Sequence, residues 1–389
     1  MTGRRGVWAA LVVLALAAAC SGEGDDGEAG DDGSSTTSIT TATRAPVVFN
    51  GEGNNLNAIS TEEGFQTQRV ITNREDDPEG LDINAQICFL PDGSGRFVAG
   101  EDTGQPDPPP GWGIFQVEGD TVAELSATQV GKLTPTYQAV EGGGNPENYG
   151  CGILADGRIV TSDIGNQAGG QANGQLIVWF PPFDDRDVAY CKLDVAIGTA
   201  GQIHVDGDDR VYVASARGDT AGVLRYSPPF PTGSDADGGC AGTDATGAPT
   251  AASVEREPFV EAGGPLATPN GVVPAPAGGF YVSSVINGVI AEVDAEGIVV
   301  RTVLEPPAGE TLGERTFTTG TPLGLGIDDE GTLYYADIGI VINADGIGPG
   351  PEGTVRRIRF DDEGEPQAPE VMAEGLAFPD GIGVYEPPR

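Results

Sequence analysis

Residues Pro322-Leu323-Gly324-Leu325-Gly326-Ile327-Asp328-Asp329-Glu330-Gly331-Thr332-Leu333-Tyr334-Tyr335-Ala336-Asp337 read as a short apolar strand, a turn of acids and Gly, and a second apolar strand ending on an acid. Asp bonds its own backbone and Gly tolerates a positive φ, so this run predicts a tight reversal between two strands. The pattern returns as QICFLPDGSGRFVAGE from Gln86, YGCGILADGRIVTSD from Tyr149, GQIHVDGDDRVYVAS from Gly201 and NGVVPAPAGGFYVSS from Asn270. A further strand pair follows each copy, for example Gly288 to Asp294, a turn at Ala295-Glu296-Gly297, and Ile298 to Val303. Four antiparallel strands per unit predict propeller blades.

Five complete units leave strands over at both ends of the chain. Phe378-Pro379-Asp380-Gly381-Ile382-Gly383-Val384-Tyr385 is a first strand with nothing after it. Val47 to Asn50, Leu56 to Ser60 and Phe65 to Ile71 are second, third and fourth strands lacking a first. The expected fold is therefore an all-β, six-bladed β-propeller over residues 46–389, its last blade closed by N- and C-terminal strands, which leaves no open end to the ring of blades. Gly (61 residues) and Pro (30 residues) are spread between the apolar runs as turn punctuation, consistent with one large all-β domain.

Charge narrows the partners. Residues 1–45 carry three Arg and six acids, so nearly all of the net charge of −39 belongs to the folded part. A phosphate backbone would be repelled, and nucleic acid is excluded as a partner. Arg4 and Arg5 precede an apolar run from Val7 to Ala19 that is too short to span a bilayer and suits a signal-peptide core. Leu16-Ala17-Ala18-Ala19-Cys20 resembles the lipobox of bacterial lipoproteins, with Ala17 where Leu usually stands. Residues 1–20 are thus expected to be a signal peptide ending at a lipidated Cys20, and 21–45, acidic and rich in Gly, Ser and Thr, a disordered tether. The chain is then exported and held at a bacterial cell membrane or surface through its lipid alone. Removing Cys20 leaves Cys88, Cys151, Cys191 and Cys240, an even number suited to two disulfides in an oxidising compartment. Three connectivities are possible, and the repeat alignment favours Cys88 with Cys151 and Cys191 with Cys240.

The xPxG opening, the D-x-x-G turn and the Leu333-Tyr334-Tyr335-Ala336-Asp337 strand resemble the SMP-30/gluconolactonase superfamily and the related NHL repeats, over nearly all of 46–389. The resemblance implies that the first residue of each innermost strand points into the channel mouth: Gln86, Tyr149, Gly201, Asn270, Leu323 and Asp380. It also implies one divalent cation, usually calcium. Asn270-Gly271 and Asp380-Gly381 look like the family's metal-binding dipeptides, with the Leu323 blade standing between them. Gln86 occupies the channel position of the family's Glu, and Glu79 and Glu101 lie only nearby in sequence. The candidate metal ligands are therefore Asp380, Asn270 and Gln86, with oxygen donors suited to a hard cation. Asp380 is the candidate base for metal-assisted hydrolysis of a lactone or ester, and Tyr149, Glu101, Asp163 and Asp337 are the candidate substrate contacts.

Other signatures are missing or weak. His204 is the single His and sits in a strand, so a Ser-His-Asp triad and a His-pair mechanism are not expected. No G-x-S-x-G elbow, C-x-x-C-H site or phosphate loop occurs, so haem, flavin and nucleotide are not expected. Asp235-Ala236-Asp237-Gly238 starts like a calcium loop without its Glu, and Arg217-Gly218-Asp219 spells an adhesion tripeptide by coincidence. Long Gly- and Pro-rich loops at Asp102 to Trp112, Ile164 to Asn173 and Ile338 to Glu352 are expected to wall the channel mouth, and residues 233–252 to form a surface insertion. Two functions of different class follow: a metal-dependent lactonase or esterase, or a non-catalytic propeller binding a small ligand or a protein at the cell surface. Either is expected to act as a monomer on a molecule held in the channel.

Overall fold

A computed structural model describes residues 45–101, 111–133, 148–164, 174–183, 187–344 and 346–387. Asp328 shows how the turns are made. Its Oδ1 accepts the N–H groups of Glu330 and Thr332, its Oδ2 accepts the Tyr334 hydroxyl at 2.7 Å, and Gly331 takes a φ of 85°. The Asp turns at 294 and 361 repeat the same bonds, with Gly297 and Gly364 at positive φ. Side-chain acceptors thus replace backbone ones where the chain reverses.

Six sheets result. Blade 1 holds Ile83–Phe89, Arg96–Glu101, Gly111–Glu118 and Ser126–Leu133. Blade 2 holds Asn148–Ile153, Ile159–Asp163, Gly174–Trp179 and Tyr190–Ile197. Blade 3 holds Ala200–Val205, Val211–Ser215, Gly222–Ser227 and Glu255–Glu261, and blade 4 Pro269–Pro274, Phe280–Ser284, Val289–Val293 and Val299–Leu304. Blade 5 holds Pro322–Ile327, Leu333–Asp337, Gly353–Ile358 and Glu370–Leu376. Blade 6 begins with Ile382–Tyr385 and continues with Val47–Glu52, Asn55–Ser60 and Thr67–Ile71. Val47 pairs with Tyr385 and Asn50 with Ile382, so the two ends of the domain close the ring as expected. Among the described residues the only helices are single 3-10 turns, and none is long and apolar enough to cross a membrane.

Burial follows position in the blade. The second strand of blade 5 is buried along its whole length, whereas the outermost strand of blade 4 exposes Val299 and Val300. Inner strands are covered on both faces by neighbouring blades and so read as continuous apolar runs, not alternating ones.

Two departures from four strands per blade concern connections. The insertion expected at 233–252 adds Gly242–Thr243 and Pro249–Thr250 to the outer edge of blade 2, where Thr250 pairs with Lys192. Buried Lys192 meets Asp244 at 2.6 Å, and the edge is covered instead of exposed. The loop after Asp337 forms its own hairpin, Ile340–Asn343 with Gly346–Pro349. Both disulfides have the expected partners: Cys88–Cys151 joins the innermost strands of blades 1 and 2, and Cys191–Cys240 pins the insertion to blade 2. Such bonds belong to an oxidising compartment outside the cytoplasm.

Candidate functional site

The innermost strands approach one another too closely to leave an open tube. A Cβ on Gly381 would stand 1.6 Å from the Ala85 carbonyl oxygen, and one on Gly324 would stand 2.3 Å from that of Asp380. Two glutamines cross what space remains. Gln86 of blade 1 donates to the Ile203 carbonyl at 2.9 Å and accepts the N–H groups of Cys151 and Ile203 at 3.0 Å each. Gln202 of blade 3 donates to the Leu325 carbonyl at 2.7 Å and accepts the Leu325 N–H at 2.9 Å. Each amide links its blade to the next but one, so the channel is closed at this layer.

At the starts of the innermost strands lies a cavity of about 220 Å³. Its floor and lower wall include Asn84, Tyr149, Asn270 and Leu323, each the second residue of an innermost strand, and Asp380, two residues before that of blade 6. Val285, Ile286, Ile338, Ile340 and Phe378 make the wall mainly aliphatic, and the blade 5 hairpin adds Ile347, Gly348 and Pro349. The loop expected from Ile338 to Glu352 does therefore wall the mouth. Residues 102–110 and 165–173, which carry most of the other two expected loops, lie outside the described residues, and Ile164 lines the cavity.

Asp380 is buried and holds the ring closure. Its Oδ2 accepts the Ala85 N–H at 3.0 Å, and its Oδ1 accepts the Gly381 N–H. Ala85 has a φ of 71°, a conformation costly for a residue with a Cβ, so this bond pins a strained residue where blade 6 meets blade 1. Asn270 donates through Nδ2 to the Tyr149 hydroxyl at 2.6 Å and to the Leu323 carbonyl at 3.3 Å. Tyr149, Asn270 and Asp380 thus share one cavity.

Gln86 does not stand with them. In blade 2, Tyr149 and Gly150 lie opposite Ser162 alone, between the pairs Asn148–Asp163 and Cys151–Thr161. In blade 1 three residues, Ala85 to Ile87, lie opposite Ala99 alone, between Asn84–Gly100 and Cys88–Val98. The larger bulge puts Asn84 at the mouth and Gln86 in the closed layer.

The acids closing the second strands are absorbed by structure. Asp337 accepts the N–H groups of Thr321 and Gly339 and the Thr354 hydroxyl, and pairs with Arg356 at 3.2 Å. Glu101 accepts the Gln129 amide and lies 3.8 Å from Lys132. Asp163 is fully buried between Asn148 and Gln175 of the flanking strands. None of these three lines the cavity. His204 lies away from the cavity, packed against Tyr212 and Phe280, and burial pulls its pKa down to about 4.

The donors present do not suit calcium. The lining offers one carboxylate, Asp380, already accepting two N–H groups, beside neutral amides and Arg217, whereas a hard divalent cation selects several anionic or carbonyl oxygens. No group of three or more His, Cys, Asp or Glu side chains is arranged for a metal among the described residues.

Sequence reading missed Arg217, Asn84, Thr199 and Thr268, all of which line the cavity. Arg217 and Thr199 follow or precede strands of blade 3 by a residue or two, so a count outward from each strand end would have found them.

No family model matches the sequence, and no curated protein matches it. Among solved structures the fold is similar to a protein of unknown function from Bacteroides caccae, at 13% identity and a TM-score of 0.49 over 87% of this chain and 99% of that one. Calcium-binding regucalcin from Agrobacterium tumefaciens is similar at 15% identity and a TM-score of 0.45, over 73% of this chain and 74% of its own. Virginiamycin B lyase from Staphylococcus aureus is similar at 10% identity and a TM-score of 0.43, over 85% of each chain. Likeness at this level carries neither ligand nor activity from those proteins to this one.

Proposed function

We propose that this propeller is a binding domain that holds a small, mainly apolar molecule at its channel mouth, displayed outside the cytoplasm on a lipid anchor at Cys20. One observation carries the reading: a cavity of about 220 Å³, walled by aliphatic side chains, with Asn84, Tyr149, Asn270 and Asp380 among its few polar groups beside Arg217. That is room for about seven waters at liquid density, which suits a small organic molecule and no polymer. Apolar ligands gain by leaving water for such a wall, and a few fixed polar groups orient them. Cys20 lies outside the described residues; the anchor rests on the sequence at 1–20, and the disulfides support only the placement outside the cytoplasm.

Hexanol binding, followed by calorimetry and thermal shift, tests the reading. The wild-type protein is expected to bind and gain in Tm, while Ala216→Trp, which places an indole in the cavity wall, is expected to lose the binding and keep the fold. Equal binding by both proteins would sink the proposal. Calcium and a chelator are expected to leave Tm unchanged, since one carboxylate is a poor site for a hard cation.

A second reading, hydrolysis of a lactone or ester with Asp380 as the base, draws support from Asp380, Asn270 and Tyr149 lining one cavity. Turnover of any member of a lactone and ester panel, lost in Asp380→Asn, would favour it over simple binding.

A further inference from the structure

We infer that the molecule taken by this cavity carries an anionic group, such as a carboxylate on an apolar body, and that Arg217 selects it. The inference rests on the binding reading above and adds the chemical class of the ligand. Arg217 lines the cavity at the end of the second strand of blade 3, where it precedes a single 3-10 turn, Gly218–Thr220. The turn that follows it is tied to the start of blade 3, where the Thr220 hydroxyl oxygen accepts the Gly198 N–H at 2.7 Å.

The charge state of this arginine sets it apart. The chain has 59 acids and 20 Lys and Arg, so a guanidinium without a carboxylate is unexpected. Arg158, Arg210, Arg225, Arg301, Arg356 and Arg357 all pair with acids, and Arg74 bonds the Gly80 carbonyl. Among the described residues Arg217 is the only partly buried arginine with neither an ion pair nor a hydrogen bond from its guanidinium. Asp219, two residues on, is exposed and does not reach it. Burial lowers the pKa of Arg217, and no neighbouring charge opposes that effect. A half-buried cation left unpaired is a cost to the folded protein, and a ligand anion removes it. The planar fork of the guanidinium suits two oxygens of one carboxylate. The apolar wall next to it accounts for the rest of the molecule.

Calorimetry with hexanoate, hexanol and hexylamine on the whole exported domain separates the possibilities. Hexanoate is expected to bind wild-type protein at least tenfold more tightly than hexanol. Arg217→Gln is expected to bring hexanoate down to the hexanol level with hexanol itself changed less than twofold, and Arg217→Lys to keep part of the preference. Equal affinity of hexanoate and hexanol in wild type, a preference for hexylamine, or an unchanged preference in Arg217→Gln would overturn the inference and leave the cavity reading intact. Binding of none of the three would overturn both. Unfolding of the Gln variant, seen by circular dichroism, would itself show that Arg217 supports the fold and overturn the selective role.

Discussion

His204 gives the protein a pH dependence that can be isolated from everything else. The ring lies in the inner strand of blade 3 with its centroid 5.5 Å from that of Phe280 and 6.3 Å from that of Tyr212. Burial among these rings disfavours the charged imidazolium and pulls the pKa down to about 4, although Asp206 nearby opposes the shift. In the unfolded chain the same group titrates near its ordinary value of 6.5. Between those values the unfolded state binds the extra proton, so stability rises with pH across that window and is lost as pH falls from about 6.5 towards 4. The full difference amounts to about 3 kcal/mol, of which about 2 kcal/mol is expressed between pH 7 and pH 5. Urea unfolding at those two pH values is the assay, run on wild type and on His204→Phe, which keeps an aromatic ring in the slot. The variant is expected to lose most of the pH dependence in this interval. Because the chain has a single His, its NMR titration is unambiguous. A folded-state pKa near 6.5, or parallel losses of stability in both proteins, would refute the reasoning.

Two further outcomes concern the ring itself. Asp380→Ala leaves the buried N–H groups of Ala85 and Gly381 without their acceptor, so we expect a loss of about 2–5 kcal/mol in urea unfolding, with Asp380→Asn recovering part of it; no change would show that the ring closes without this carboxylate. Replacing Cys88 and Cys151 by Ser opens a loop spanning 63 residues, for which chain entropy predicts a loss of about 4 kcal/mol, and a loss under 1 kcal/mol would count against it.

Much of the architecture was legible because its causes are local. Asp and Gly at 328 and 331 make a turn wherever they occur between two apolar runs, and the turns at 294 and 361 obey the same chemistry. Counting strands then left one blade short of a first strand and one first strand short of a blade, and the pairing of Val47 with Tyr385 is the result. The disulfide partners followed from aligning the repeats.

The site was legible only in part. Tyr149, Asn270 and Asp380 do line one cavity, but Gln86 does not, because the bulge in blade 1 is one residue larger than that in blade 2. Bulge size depends on how a strand meets its neighbour, and aligning Cys88 with Cys151 concealed the extra residue. The acids Glu101, Asp163 and Asp337 looked available because a sequence shows charge without showing partners. In the fold, Asp337 spends its oxygens on Thr321, Gly339, Thr354 and Arg356.

From sequence alone come the six blades, the ring closed by both ends of the domain and the pairing of cysteines, since these depend on turn chemistry and on the number of strands. Tertiary structure alone decides that the channel is shut by Gln86 and Gln202, that the cavity at the mouth is aliphatic, and that Arg217 stands in its wall unpaired. The reason is physical: strand and turn preferences act over a few residues, whereas the state of a charge or an amide depends on which groups from distant blades arrive beside it.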